Sequence, residues 1–103
     1  MGYYTKYKLT VTGDYNKVAK AIEDKNAPER IKIALGNYSD SMKWYDYNED
    51  VWKYSKKHPE VLFTLTGEGE DSGDLWIMWT KNGKQIRKVV EIIWPTLNED
   101  ELE

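Results

Sequence analysis

The stretch Leu75–Ile86, LWIMWTKNGKQI, places Asn82-Gly83 between the apolar run that begins at Leu75 and a second run that begins at Gln85 and extends to Trp94. An Asn-Gly pair accepts the positive φ angles of a two-residue turn, and between alternating runs it is the strongest short-range signal of a β-hairpin. We therefore predict one strand from Leu75 to Thr80 and a partner strand from Gln85 to Trp94.

Other segments show clear periodicity. The period of two over Tyr3–Thr12 indicates a strand with one wet face, and Val61–Thr66 begins with residues that are apolar on both faces, as in a central strand. Apolar residues at helical spacing predict a helix over 15–22. A second helix is predicted from about Asn48 to His58, because its first turn is acidic and its last turn is basic.

The segment Ile31–Leu35 permits two interpretations. Its side chains alternate as in a strand, but Ile31, Ala34 and Leu35 also suit a short helix that ends at Gly36. We favour the strand, because β-branched residues lead this short run. Met42–Tyr45 is then predicted as the return strand.

These elements follow the order βαββαβ with an added C-terminal β-hairpin. This order predicts an α+β fold, a ferredoxin-like sandwich with its helices on one face of the sheet. A chain of 103 residues is too short for a second core, so residues 1–97 are predicted to form a single domain. The rest, 98–103, is predicted to be a solvated acidic tail.

The composition argues against several kinds of chemistry. The chain has no cysteine, so disulfides, thiolate metal sites and cysteine nucleophiles are excluded. With His58 as its single histidine, the chain cannot form a histidine-rich zinc site. The sequence also lacks the Gly-x-Ser-x-Gly motif of a serine nucleophile. We expect a protein that is not an enzyme and has no cofactor and no metal. No signal peptide or membrane span is evident, so we expect a cytoplasmic protein with no membrane partner.

The connection Gly67–Asp74, GEGEDSGD, holds three glycines and four carboxylates. The glycines lack the spacing of a phosphate-binding loop and lead into a strand rather than a helix. The acidic residues do not reproduce a calcium loop. The sequence leaves a hard-metal site open, but an acidic turn between two strands is the favoured interpretation.

The aromatic residues are the more informative feature. The chain has five Trp and eight Tyr against one Phe, and rings with a polar edge suit half-buried positions and interfaces. An aromatic sheet face would suit base stacking, although a net charge of -3 disfavours nucleic acid. Core packing and a homodimer interface remain open alternatives. The residues predicted to bind a partner are Trp44, Tyr45, Glu68, Glu70, Asp71, Asp74, Trp76 and Met78.

Five segments share a family pattern: Tyr3–Leu9, Lys43–Asp46, Ser55–Leu65, Gly67–Glu70 with Gly73–Trp76, and Asn82–Lys84. In these segments the chain resembles small proteins found mostly in phages and prophages. It is more distantly similar to the ferredoxin-like domain of phage- and plasmid-borne proteins that carry a Thr-Lys-Trp-Asp segment. The resemblance implies a mobile-element gene expressed in a bacterial cytoplasm, and it brings no catalytic residues.

Together, the resemblance and the missing catalytic set predict a binding protein that engages a host protein. An anti-defence role, as an anti-CRISPR or anti-restriction inhibitor, is expected because carboxylates can occupy a basic nucleic-acid channel. The alternative is a module that binds single-stranded nucleic acid or a nucleotide through an aromatic sheet face. The sequence leaves open whether the protein is a monomer or a homodimer.

Overall fold

The computed structural model describes residues 4–36, 42–69, 74–90 and 99–102. These residues form strands and helices that belong to the α+β class, as predicted. In chain order the elements are β1 (Thr5–Thr12), α1 (Tyr15–Ile22), α2 (Glu29–Leu35), α3 (Tyr47–Lys57), β2 (Leu62–Gly69), β3 (Leu75–Lys81), β4 (Lys84–Val89) and a 3-10 turn (Glu99–Glu101).

The strands form one antiparallel sheet in the order β1-β2-β3-β4, so each strand pairs with the next one in sequence. All three α-helices of the described residues lie between β1 and β2 in the chain. This strand order and helix placement differ from the βαββαβ arrangement, and the ferredoxin-like topology is therefore not confirmed.

The prediction of a strand at Ile31–Leu35 is wrong, because these residues belong to α2. Ile31 and Ala34 lie one helical turn apart and are 0% and 1% exposed, whereas Ile33 is only partly buried. Burial of this pair against β1 stabilises the segment more than the strand preference of two isoleucines. The alternation in the sequence was too short to distinguish the two periods.

The predicted return strand at Met42–Tyr45 is reduced to a single bridge. Met42 pairs with Thr5 through backbone hydrogen bonds of 3.1 and 2.9 Å, and the chain then turns into α3. Because Ile31–Leu35 is helical, the strand along which Met42–Tyr45 was predicted to return does not form, and Met42 pairs with the edge of β1 instead.

Side chains alternate between two faces of the sheet. The inner face packs against the helices, as predicted for one face, and its buried side chains are those of Tyr7, Leu9, Phe63, Leu65, Trp76 and Met78. On this inner face, α2 packs against β1, and α3 packs against β2 and β3. No helix within the described ranges covers the opposite face, which we call the outer face.

The predicted hairpin is confirmed at Asn82 and Gly83, whose φ angles are 47° and 74°. Side chains of α3 hold the tip of this hairpin. The Trp52 indole N–H donates to the Gly83 carbonyl at 2.6 Å, and the Gly83 N–H donates to Ser55 Oγ at 2.9 Å. These two bonds fix the position of β3 and β4 relative to the helices.

Candidate binding surfaces

Trp76 lies at the centre of an aromatic cluster on the inner face. Its indole extends over Gly67 of the neighbouring strand, where a Cβ atom would overlap the ring. Tyr47 stacks on the indole with the ring centroids 4.6 Å apart, and the Arg87 guanidinium lies 4.9 Å from the centroid. Gly67 is therefore a strand residue that makes room for Trp76, and not part of a ligand-binding loop.

Tyr7 joins the rest of this cluster. Its ring centroid lies 5.2 Å from that of Trp44 and 5.9 Å from that of Trp76. The Tyr7 hydroxyl donates to the Trp44 carbonyl at 3.2 Å, and the Trp44 indole N–H donates to Asp50 at 2.8 Å. Burial raises the pKa of Tyr7, so its phenol stays a neutral donor over the physiological pH range.

An aromatic cleft of about 250 Å³ opens beside this cluster. Tyr45 stands at the cleft with 70% of its side chain exposed, while Asp74 and Arg87 provide charges of opposite sign. The aromatic cleft is lined by Thr5, Tyr7, Trp44, Tyr45, Tyr47, Asp74, Trp76 and Arg87. Aromatic walls with a few polar groups are typical of ligand-binding pockets.

The structure brings four of the predicted partner-binding residues together at the aromatic cleft: Trp44, Tyr45, Asp74 and Trp76. Trp44 and Trp76 are 4% and 5% exposed, so both rings belong to the hydrophobic core, and only a small part of each is accessible from the aromatic cleft. Met78 is 1% exposed and belongs to the core, which leaves it no surface for a partner.

The remaining predicted residues do not join them. Glu68 is exposed on the outer face. Glu70 and Asp71 lie outside the described residues, as do Tyr3 and Trp94, so the possible metal site in the acidic connection is not described. Its described ends, Gly69 and Asp74, are joined by a backbone hydrogen bond of 2.8 Å that begins the β2–β3 connection.

The outer face carries an apolar centre with lysines around it. The centre consists of Leu75, Ile77 and Trp79 on β3 and Ile86 on β4. The surrounding lysines are Lys6, Lys8, Lys81, Lys84 and Lys88, and Glu68 is the one acidic residue that the described strands place on this face. None of these charged side chains forms an ion pair with another described residue.

Sequence reasoning missed this surface, although part of the signal was present. The alternation of Lys6 and Lys8 marked the wet face of β1, and the alternation of β3 placed Trp79 opposite Trp76. Without the pairing of β1 with β2 and of β3 with β4, however, the sequence did not show that the lysines and Trp79 share one face.

Two depressions lie on the outer face. One of about 250 Å³ is beside Trp79 and is also lined by Lys81 and Lys84. The other, of about 260 Å³, includes Glu68 and Leu75 in its lining. Leu75 and Trp79 are four residues apart on β3, or about 13 Å at roughly 3.3 Å per residue. Ile77, between them, also lines the second depression.

The only histidine is engaged in a structural ion cluster. Asp24 Oδ2 lies 2.8 Å from Lys57 Nζ and 2.9 Å from His58 Nε2, and Asp24 Oδ1 accepts the Asn26 N–H at 2.9 Å. These hydrogen bonds, led by the one from Lys57, hold the pKa of Asp24 well below its usual range. The cluster ties the end of α1 to the end of α3.

Within the four described ranges, no group of three or more His, Cys, Asp or Glu side chains is placed to hold a metal ion. No helix in this part of the chain is long and apolar enough to cross a membrane. No protein-family model, curated protein or solved structure matches the chain.

Proposed function

We propose that this chain is a non-enzymatic binding protein whose outer face binds single-stranded nucleic acid. The observation that carries this proposal is the separation of charge. The chain as a whole has a net charge of -3, yet the described strands place five lysines and one glutamate on the outer face. A cationic surface on an acidic protein is suited to an anionic partner.

The lysines are arranged so that they can neutralise phosphates at both edges of the sheet. Lys8 and Lys88 lie in one row across the sheet, with Thr66 and Ile77 between them. Three strand spacings separate them, or about 14 Å at roughly 4.8 Å each. An apolar strip between cations can hold bases in the centre while the backbone runs beside lysines.

Trp79 offers the aromatic group that such a site needs. It is partly exposed, faces away from the core between Thr64 and Ile86, and shares its depression with Lys81 and Lys84. A base stacked on an aromatic side chain contributes about 1–3 kcal/mol. A single strand exposes its base faces and a duplex hides them, which favours the single strand as the ligand.

The test is a salt-dependent titration of the whole chain with fluorescein-labelled oligothymidine and oligouridine, followed by fluorescence anisotropy. We expect log K to fall by about 0.7 per phosphate contact for each decade of salt. The double variant Lys8→Gln/Lys88→Gln is then expected to reduce this slope by about 1.4. The matched control, Lys20→Gln/Lys25→Gln, removes the same charge from the helical side and should keep the slope of the unmodified chain.

A second variant addresses stacking. Trp79→Ala is expected to weaken binding by about 1–3 kcal/mol at every salt concentration, because it removes the aromatic platform without changing the charge. Circular dichroism would verify that the variant keeps its fold. A flat titration of the unmodified chain at low salt would refute the proposal.

A second candidate function, an anti-defence protein that binds a host protein, is favoured by the aromatic cleft. Tyr45 is 70% exposed beside Asp74, and exposed aromatic residues are frequent anchors in protein interfaces. Asp46 and Glu49 follow at the start of α3, so this end of the molecule would suit a basic surface of a CRISPR or restriction factor.

This candidate is tested by plasmid protection in bacteria that carry a restriction or CRISPR system. Tyr45→Ala is expected to abolish protection. Tyr15→Ala, which removes a tyrosine that is 84% exposed on α1, is the matched control and should leave protection intact. If the unmodified chain protects no plasmid in either kind of host, this candidate is rejected.

A further inference from the structure

Glu68 is out of place on a surface that binds a polyanion. It is exposed on β2, in register between Lys6 of β1 and Leu75 of β3. No ion pair joins Glu68 to Lys6 or to any other described residue. A carboxylate among lysines repels phosphates, so the presence of Glu68 beside the apolar centre needs a different explanation from that of the lysines.

The chemistry of a carboxylate suggests what it recognises. When ionised it only accepts hydrogen bonds, and its two oxygens can accept two parallel ones. Unstacked bases of a single strand expose their Watson–Crick edges to side chains. Guanine presents two adjacent donors on that edge, the N1–H and the N2 amino group. Adenine and cytosine present one amino donor next to an acceptor nitrogen, which a carboxylate repels.

The surroundings of Glu68 provide room for a base. The depression of about 260 Å³ that contains Glu68 is also lined by Thr66, Leu75 and Ile77, so apolar side chains lie next to the carboxylate. Leu75 lies about 13 Å from Trp79, at roughly 3.3 Å per residue along β3, which leaves room for one base beside Leu75 and another at Trp79.

We propose that Glu68 is a specificity-determining residue that selects guanine at this depression. The inference rests on the proposed binding of single-stranded nucleic acid by the outer face. In this arrangement the lysines and Trp79 provide affinity for any sequence, while both oxygens of Glu68 accept hydrogen bonds from the N1–H and N2 amino groups of one guanine.

The experiment uses short oligothymidines with one central guanine, inosine or adenine and measures their affinities for the whole chain by anisotropy. Guanine is expected to bind about 5- to 150-fold more tightly than adenine, the discrimination of one bidentate pair. Inosine lacks the N2 amino group and should bind between the two. In Glu68→Gln the guanine preference is expected to disappear, while affinity for plain oligothymidine stays the same or rises because a repulsive charge is gone.

The control is Glu23→Gln, which removes an exposed carboxylate at the end of α1 and should keep the guanine preference. A purely structural role of Glu68 would change the urea midpoint but not the ratio of guanine to adenine affinity. Binding of all oligonucleotides with equal affinity, or a guanine preference that survives in Glu68→Gln, overturns this inference alone. Failure to bind any oligonucleotide overturns the proposed function and this inference with it.

Discussion

Replacing Ser55 by alanine removes one of the two α3 side chains that hold the tip of the β3–β4 hairpin. Ser55 is fully buried, and its Oγ donates to the Trp52 carbonyl at 2.7 Å while it accepts the Gly83 N–H at 2.9 Å. The strand ladder of the hairpin ends at the pair Lys81 and Lys84, so the amide of Gly83 has no ladder partner of its own. Ser55→Ala leaves this amide without its acceptor.

The expected cost follows from that amide. An unsatisfied buried donor costs about 1–3 kcal/mol, and since Gly83 is partly exposed, water can recover part of this loss. Alanine fills nearly the same volume as serine, so the cavity contribution is small. We therefore expect Ser55→Ala to lower the free energy of unfolding by about 1–2 kcal/mol, and the melting temperature by roughly 4–8 °C per kcal/mol.

Urea unfolding followed by tryptophan fluorescence measures this change. The control is Asn16→Ala on α1, where an exposed polar side chain is replaced by a better helix former and no loss of stability is expected. The reasoning would be refuted by a Ser55→Ala variant as stable as the unmodified chain, because the sheet and the Trp52 hydrogen bond would then be enough to hold the hairpin.

Three further substitutions test the core and its ionisable groups. Gly67→Ala places a methyl group against the Trp76 ring and is expected to cost about 1–3 kcal/mol in urea unfolding and to change the near-ultraviolet circular dichroism. The pKa of Asp24 in the folded chain is below its ordinary 3.8, mainly because of its hydrogen bond with Lys57. The ionised carboxylate therefore stabilises the fold above pH 3.8, and this stabilisation is lost as the pH falls below that value. Asp24→Asn should flatten the acid side of a urea-midpoint pH profile. Burial raises the pKa of Tyr54 from 10.0 to about 12, so the stabilisation of the fold by the neutral phenol is present below pH 10.0 and is lost toward pH 12. Tyr54→Phe should remove this alkaline decline in stability.

Local patterns in the sequence were reliable where one period was unambiguous. The alternation over Thr5–Thr12 and Leu75–Lys81 and the pair Asn82-Gly83 reappear in the structure with the expected faces and turn. The helix predicted from about Asn48 is observed as α3, with its acidic first turn and basic last turn. In each of these cases the local preference and the tertiary packing favour the same conformation.

The predictions that were wrong concern features that depend on contacts between residues far apart in the sequence. Over Ile31–Leu35 the strand and helix periods fit equally well, and burial of Ile31 with Ala34 against β1 decided between them. Pairing of β1 with β2 across a connection that contains α1, α2 and α3 leaves no local trace in the sequence, so the sequence did not indicate the observed strand order. The packing of Trp76 over Gly67 left one signal in the sequence, a glycine that directly follows the apolar and threonine-rich run Leu62–Thr66.

The two candidate functions use opposite faces of one strand, and this makes them separable. Trp76 lines the aromatic cleft, whereas Trp79 lies on the outer face. Only two residues separate them in β3, and their side chains lie on opposite faces of the sheet, so neither ring can serve both surfaces. Tyr45→Ala should therefore affect only the binding of a host protein, and Trp79→Ala only that of nucleic acid. If either exposed substitution reduced both activities, a single partner that wraps the edge of the sheet at β4 would explain the result better than two independent sites.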